Sequence, residues 1–507
     1  MQRDLTAQPP VGRSVWVAGL AVALFALALR SCFVIEQYDG DMELFAYMGK
    51  LVGQGGRIGI ELIDNKLPMV GVLMWPFYKL IGGWWAGYAL LSIAMAIATT
   101  VLIGHAAAIV YRSSRWPTIT IAAAWLGFPL AVFAAFKLEH VQILTGALSG
   151  LAFVRCWKHR RGWDAFAVGL FAGLGTLAKP TSLSVLVGAA AAFAVWTQVP
   201  LRERIRLALW MLAGLSLPLI GTVLYLVGSG AIVGLPGLYE QIRQYNRNSV
   251  WVGGTIVAKF ASLGLIVGGP LLIRLLGEGR RAEPRVGGST MLLVFASVWM
   301  LTELSGVMMQ GRMYGYHFLP MMVPAALLFG LIPRRPSAVT VVVAPLPVLI
   351  ATAAWTWAVV LHTQPPSDRL AANDYVKSHA APGDAVWMDN DARILVESDL
   401  KPGSRVPLAF IFSNDDDAPQ KFSNLILADF DQRTPRWIVL PKDWRQRQEL
   451  LRTCQPEFVY HPRRGDNLIK AWTDLAGYVE SHYTRAARFG TMDVMERKPE
   501  LQTAKAE

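Results

Sequence analysis

The apolar positions of this chain come in long uninterrupted runs, without the period-two or period-3.6 alternation that half-buried elements of soluble proteins show. The runs cover residues 15–35, 84–111, 117–136, 141–154, 165–178, 182–196, 207–227, 256–273, 290–304, 318–331 and 339–361. The longer ones match the roughly 20 residues needed to cross a bilayer's apolar core of about 30 Å. The pattern therefore predicts eleven transmembrane helices. A further run, 67–81, is short and carries Pro76 and Lys79, which predicts a helix lying at the membrane interface instead. The first run follows Arg3 and Arg13 and leads into acidic sequence with no small-residue cleavage site, so it reads as a retained helix and not as a signal peptide.

Charge fixes the expected orientation. With eleven spans, Arg112 and Arg115, the cluster at 155–161, the cluster at 202–206, the cluster at 274–285, and Arg334 with Arg335 all fall in alternate loops on the side of the N-terminus. That is the arrangement of basic loops retained in the cytoplasm. If 67–81 also spanned, every cluster would move to the outer face. The same parity puts the remaining loops, and the tail after Leu361, outside.

Composition narrows the class further. With 53% hydrophobic and 17% charged residues and a mean hydropathy of +0.37, the chain is not a set of soluble domains. The net charge of +12 sits in short clusters between apolar runs, so it argues against a nucleic-acid partner. Cys32, Cys156 and Cys454 are too far apart for a zinc motif or a disulfide framework.

The tail, 362–507, changes character. Strand-like runs (AVWMD, PRWIVLP, EFVYH) alternate with helical ones (DRLAANDYVKSH, NLIKAWTDLAGYVESH), which predicts a small α/β domain. SNDDDAPQK reads as a solvated loop, since a calcium site needs more ligands at defined spacing. The expected organisation is a membrane domain over 1–361, whose first outer loop is 36–83, and a soluble periplasmic domain over 362–507.

The outer loops hold the candidate chemistry. In 36–83, Asp39, Asp41 and Glu43 open a stretch whose apolar positions Met42, Phe45, Met48 and Val52 recur at helical spacing. Carboxylates at that place either cap an interfacial helix, act as a base toward an acceptor, or hold a divalent metal. Glu139, in the short loop KLEH, either pairs with Lys137 or faces a site. Lys179, in TLAKPTS, either snorkels or meets a phosphate. Between Gly230 and Gly254, Arg243, Tyr245, Arg247 and Trp251 suit a lipid phosphate or sugar surface, and equally suit interfacial anchoring. Arg312 and His317, in MMQGRMYGYHFLP, place a permanent guanidinium where it can grip a phosphate or simply anchor a helix end.

The order of these motifs resembles a known family. An acidic opening followed by Tyr-Met-Gly, then Asn-Lys-Leu-Pro, Leu-Glu-His, Gly-Leu-x-x-Leu-x-Lys-Pro and Gly-Arg-x-Tyr-x-Tyr-His-Phe-Leu-Pro is similar to the GT-C superfamily. Within it, the chain resembles the protein O-mannosyltransferase and aminoarabinose (lipid A) transferase branch over about residues 15–361. The resemblance implies an α-helical polytopic membrane protein of GT-C fold, with about eleven transmembrane helices, interfacial helices and a C-terminal periplasmic α/β domain. It implies an inverting enzyme of the bacterial inner membrane, with its N-terminus cytoplasmic. Such an enzyme moves a sugar from a polyprenyl-phosphate donor to an envelope lipopolysaccharide, other glycan or protein acceptor.

Residue by residue, Asp41 matches the first-loop base, with Asp39 and Glu43 as alternates. Lys66 matches the lysine that meets the carrier phosphate and Arg312 the late arginine of the pattern, while Lys179, Arg243 and Arg247 remain further candidate phosphate ligands on their own chemistry. Glu139, His317, Tyr316 and Tyr245 are the expected substrate contacts. The chain departs from the family in having Asp-Gly-Asp-Met-Glu where an Asp-Glu dipeptide is common, and Leu67 where some members have a first proline. Metal use varies among relatives, so the resemblance leaves a divalent cation open. A lipid-linked sugar flippase or O-antigen polymerase is the alternative class, although neither needs the acidic first loop. A sensor or transporter would show intramembrane charges or internal repeats.

Overall fold

The structure is a computed structural model that describes residues 13–31, 40–64, 66–110, 115–128, 136–239, 261, 263–276, 289–310, 315–331, 337–362, 367–388, 391–406, 418–444 and 462–503. In chain order the first nine helices are α1 (Arg13–Ser31), α2 (Gly40–Gly53), α3 (Met69–Ile81), α4 (Trp85–Val110), α5 (Arg115–Gly127), α6 (Leu138–His159), α7 (Gly162–Ala178), α8 (Ser184–Val195) and α9 (Leu201–Gly228). Helices at Gly269–Leu276, Ser289–Gln310, Met322–Leu331, Ala338–Val343 and Leu346–His362 follow before the tail.

Each of the eleven apolar runs thus contains helix, and the chain is a membrane protein. Among the described residues, four helices are long and apolar enough to cross a bilayer: 13–31, 85–110, 201–228 and 290–309. At 1.5 Å per residue, α4 and α9 reach about 40 Å, beyond the roughly 30 Å apolar core. Met69–Ile81 is a separate shorter helix with Pro76 inside it.

The chain divides into two compact units, each discontinuous in sequence. The first comprises 1–37, 86–222 and 251–363, and the second 38–85, 223–250 and 364–507.

The first unit is a helical bundle with an aromatic core. Phe153 stacks on Phe295 with ring centroids 4.0 Å apart, and Trp125 and Trp299 are almost fully buried. The indole of Trp125 donates to the carbonyl of Ile266 at 2.8 Å, because a buried N–H in an apolar setting has to find an acceptor. One buried carboxylate links three helices: Glu303 accepts from Ser184, from Gln142 at 3.2 Å and from Trp299 at 3.3 Å.

In the second unit, α2 packs along α3 at glycine. A side chain at Gly49 would bring its Cβ within 2.8 Å of the Met74 carbonyl, so the YMGK sequence permits a backbone approach that any larger residue would block. The tail segments form a five-stranded sheet from β1 (Ala385–Met388), β2 (Lys401–Pro402), β3 (Trp437–Pro441), β4 (Tyr483–Phe489) and β5 (Met492–Arg497), in the order β2-β1-β3-β5-β4. β1 is parallel to β2 and β3, whereas β5 is antiparallel to both β3 and β4. The central β3, WIVLP, is buried along nearly its whole length, as expected of a strand covered on both faces. Helices Ser367–His379, Ala418–Arg433 and Pro462–His482 complete this α/β fold.

AVWMD and PRWIVLP are strands as the sequence predicts, while EFVYH lies outside the described residues. SNDDDAPQK is only partly a loop candidate, because its last four residues open the helix Ala418–Arg433.

Candidate functional site

The second unit gathers the charged residues of the first loop. α2 begins at Gly40, and Asp41 and Glu43 occupy its first turn, where the positive end of the helix dipole favours acids. Lys66 lies just before α3, and its ammonium stands 3.9 Å from Asp41 Oδ1 and 3.7 Å from Asp64 Oδ2. These are ion-pair distances, so the ammonium sits between two carboxylates. It also lies 5.9 Å from the centroid of the Phe45 ring. Burial separates the acids: the Asp41 side chain is 20% exposed and Asp64 is not exposed at all, while Glu43 is fully buried. Of the described acids in this cluster, Asp41 is therefore the one a substrate can reach. Asp39 lies outside the described residues.

The expected amphipathic helix is buried on nearly every side from Met42 to Leu51. Lys50 shows one reason. Its ammonium donates to the carbonyls of Leu395 at 2.8 Å and Ser398 at 2.5 Å, closing the C-terminal end of the short helix Arg393–Glu397. Burial pushes the Lys50 ammonium below its ordinary pKa, with Asp399 acting the other way. The loop Arg57–Asp64 is tied to the tail by a hydrogen bond from Ile63 N–H to the Arg405 carbonyl, at 2.7 Å.

The first unit holds a second polar cluster. KLEH is not a free loop: Lys137 is the extended N-cap of α6, and Leu138, Glu139 and His140 form its first turn. Glu139 is ion-paired to Lys179, with side chains 4% and 18% exposed. Tyr316 offers its ring to both neighbouring ammoniums, at 5.1 Å from Lys137 and 6.0 Å from Lys179, a cation–π geometry. His317 is buried and meets the Tyr316 ring edge-on at 4.6 Å. Beneath Glu139, Arg30 donates to the Leu126 carbonyl at 2.8 Å and to His140 Nε2. His140 Nδ1 lies 3.0 Å from the Lys137 N–H and 3.2 Å from the Lys137 carbonyl.

The structure thus brings Asp41 and Lys66 together, and separately Glu139, Lys179, Tyr316 and His317. Arg243, Tyr245, Arg247, Trp251 and Arg312 lie outside the described residues. Sequence reasoning missed Asp64, although an acid two residues before a candidate phosphate-binding lysine was a readable signal. It also missed Arg30 and Glu303, lone charges inside apolar runs of the kind that mark a partnered buried group. Among the described residues, no group of three or more His, Cys, Asp or Glu side chains could hold a metal ion. The place between Asp41 and Asp64 that a cation would take is filled by the Lys66 ammonium.

Comparison with known proteins gives the fold an independent reference. No family model and no curated protein matches the sequence. The chain is similar in structure to ArnT from Cupriavidus metallidurans, crystallised bound to undecaprenyl phosphate. The two share 14% identity with a TM-score of 0.57, over 97% of this chain and 99% of that one. At that identity the likeness establishes the fold, and it bears out the expected GT-C architecture at that level.

Proposed function

We propose that this chain is a membrane glycosyltransferase of the outer face of the bacterial inner membrane, which transfers a sugar with inversion from a polyprenyl-phosphate carrier to an envelope acceptor. The observation that carries this reading is the Asp41–Lys66–Asp64 cluster, set in a chain whose fold is that of a protein bound to undecaprenyl phosphate. The orientation rests on the basic loops and on eleven spans, with the N-terminus cytoplasmic and the tail periplasmic.

The chemistry follows from the charges. As the bond between the anomeric carbon and the phosphate oxygen breaks, the carrier phosphate gains negative charge. The Lys66 ammonium, held at ion-pair distance from Asp41 and Asp64, is suited to stabilise it. Asp64 positions Lys66 from below, in a place solvent does not reach. Asp41, partly exposed, takes the proton of the acceptor hydroxyl or amine as that group attacks the opposite face of the sugar, and in-line attack inverts the centre. Glu43 is too buried for that task, and we assign it to the packing of α2. Lys179, Tyr316 and His317 are assigned to donor and sugar on the family resemblance, and Glu139 to holding Lys179.

The test is transfer of labelled sugar by the purified protein in proteoliposomes, from a panel of synthetic polyprenyl-phosphate sugars to extracted envelope acceptors, with the product's anomeric configuration read by NMR. Transfer with inversion supports the reading. Failure with every donor, together with movement of the lipid-linked sugar across the vesicle, would establish the flippase reading instead.

A further inference from the structure

Within the second unit, the C-terminal half of α2, the loop 57–64 and segments of the tail line a half-open cavity of about 730 Å³. That lies within the roughly 300–1,000 Å³ of ordinary small-molecule sites. It is distinct from the Asp41 cluster: Tyr47, which lines it, lies about 9 Å further along α2 and on another face of the helix.

The charges in its wall are unequally committed. Lys50 is spent on the carbonyls of Leu395 and Ser398. Arg436 is paired with Asp384 at 3.2 Å and Glu496 at 3.0 Å. Two lining cations, Lys401 and Arg433, have no carboxylate partner among the described residues. They share one wall, since Arg433 donates to the carbonyl of Pro402, the neighbour of Lys401, at 3.1 Å. Tyr47 is only 4% exposed, and its hydroxyl makes no hydrogen bond among the described residues. Burial raises the pKa of that hydroxyl, with Arg433 opposing and Glu61 reinforcing the shift, so the phenol stays protonated beside both side chains.

The rest of the lining selects among anions. Gln54, Asp399 and Glu61, whose Oε1 already accepts from Arg57 at 3.1 Å, present carbonyl and carboxylate oxygens suited to accept from hydroxyl groups. The same carboxylates repel a di- or triphosphate. A ligand that satisfies both walls is rich in hydroxyls and carries a single anionic group.

We propose that this cavity is a saccharide-binding site for an acidic sugar, in which Arg433 and Lys401 grip the carboxylate or phosphate and Tyr47, Gln54 and Glu61 meet the hydroxyls. The proposal stands apart from the transfer reading because its readout is binding, so failure of either leaves the other intact.

The test is isothermal titration of the full-length protein in detergent with three probes: a glucuronic-acid-containing trisaccharide, glucosamine 6-phosphate and neutral maltotriose. At least one acidic probe is expected to bind at least tenfold more tightly than maltotriose, and which of the two does so identifies the anionic group. Arg433→Gln and Lys401→Gln are each expected to weaken it about five- to tenfold. Lys401 is exposed, so its substitution leaves the fold alone and keeps the test valid if Arg433→Gln lowers stability. Absence of binding by both acidic probes, equal affinity for maltotriose, or indifference to Lys401→Gln overturns the proposal.

Discussion

Replacing Lys66 with Gln probes the transfer mechanism at its most charged point. The ammonium lies 3.9 and 3.7 Å from two carboxylates, and its side chain is 23% exposed. Coulomb's law at these separations gives about 4 kcal/mol per contact at an effective dielectric of 20, and about 1 kcal/mol in bulk water. Desolvation offsets most of this in the intact cluster, but removing the ammonium alone leaves the buried Asp64 carboxylate without this counter-charge, so the substitution is also expected to cost roughly 3 kcal/mol of stability. The reaction differs, because the phosphate gains charge only as the glycosidic bond breaks, and the ammonium acts on that new charge. Loss of one such preorganised donor lowers turnover by roughly 10²–10³-fold. The assay is initial-rate sugar transfer in proteoliposomes at saturating donor, with size-exclusion profiles confirming that the variant is folded. Lys66→Arg keeps the charge and is expected to recover part of the rate. A folded Lys66→Gln protein working within threefold of wild type would refute the role given to this lysine.

Other consequences are independent of catalysis. Glu139→Gln removes the anion beside Lys179 and is expected to destabilise the first unit by roughly 3 kcal/mol, as breaking a mostly buried pair does; thermal unfolding measures this, and Glu139→Gln/Lys179→Met together should cost less than the first alone. Lys50→Met removes the donor that closes helix Arg393–Glu397, so amide hydrogen exchange at residues 393–398 should quicken about tenfold or more, as loss of a charge-assisted bond implies. Glu397 supplies a pH dependence. Burial pushes its carboxyl up, but hydrogen bonds from Lys377, Trp85 and Arg393 outweigh burial and hold it below the ordinary 4.5. A folded-state pKa below the unfolded one contributes stability that is present above about pH 4.5 and lost as pH falls through the folded value. Trp85, which donates to Glu397 at 2.6 Å, should report that loosening by fluorescence, and Glu397→Gln should make the signal much less sensitive to acid.

What the sequence made legible follows from the range of the forces involved. Apolar runs are local signals, and each one holds helix; the short run with Pro76 and Lys79 is the separate helix α3. The nearness of Asp41 and Lys66 came from the family resemblance, since no local spacing relates a helix start to a residue 25 positions later. The burial of α2 was not legible, because Lys50 meets carbonyls some 345 residues away. The β4–β5 hairpin escaped notice for a different reason: Arg485, Arg488 and Glu496 interrupt its apolar alternation, and its stability comes from pairing with β3. KLEH looked like a loop because its charges hid a helical first turn, in which Glu139 gains from the helix dipole and the His140 side chain caps the Lys137 backbone.

The central claim is that a first-loop carboxylate drives sugar transfer, and Asp41→Asn tests it most directly. Wild type and variant, reconstituted at equal density, would be given the same polyprenyl-phosphate sugar and the same envelope acceptor. The account predicts transfer by wild type and a loss of at least 100-fold in a folded Asp41→Asn protein that still binds the donor lipid, in keeping with removal of a general base. Equal transfer by the two proteins would contradict it.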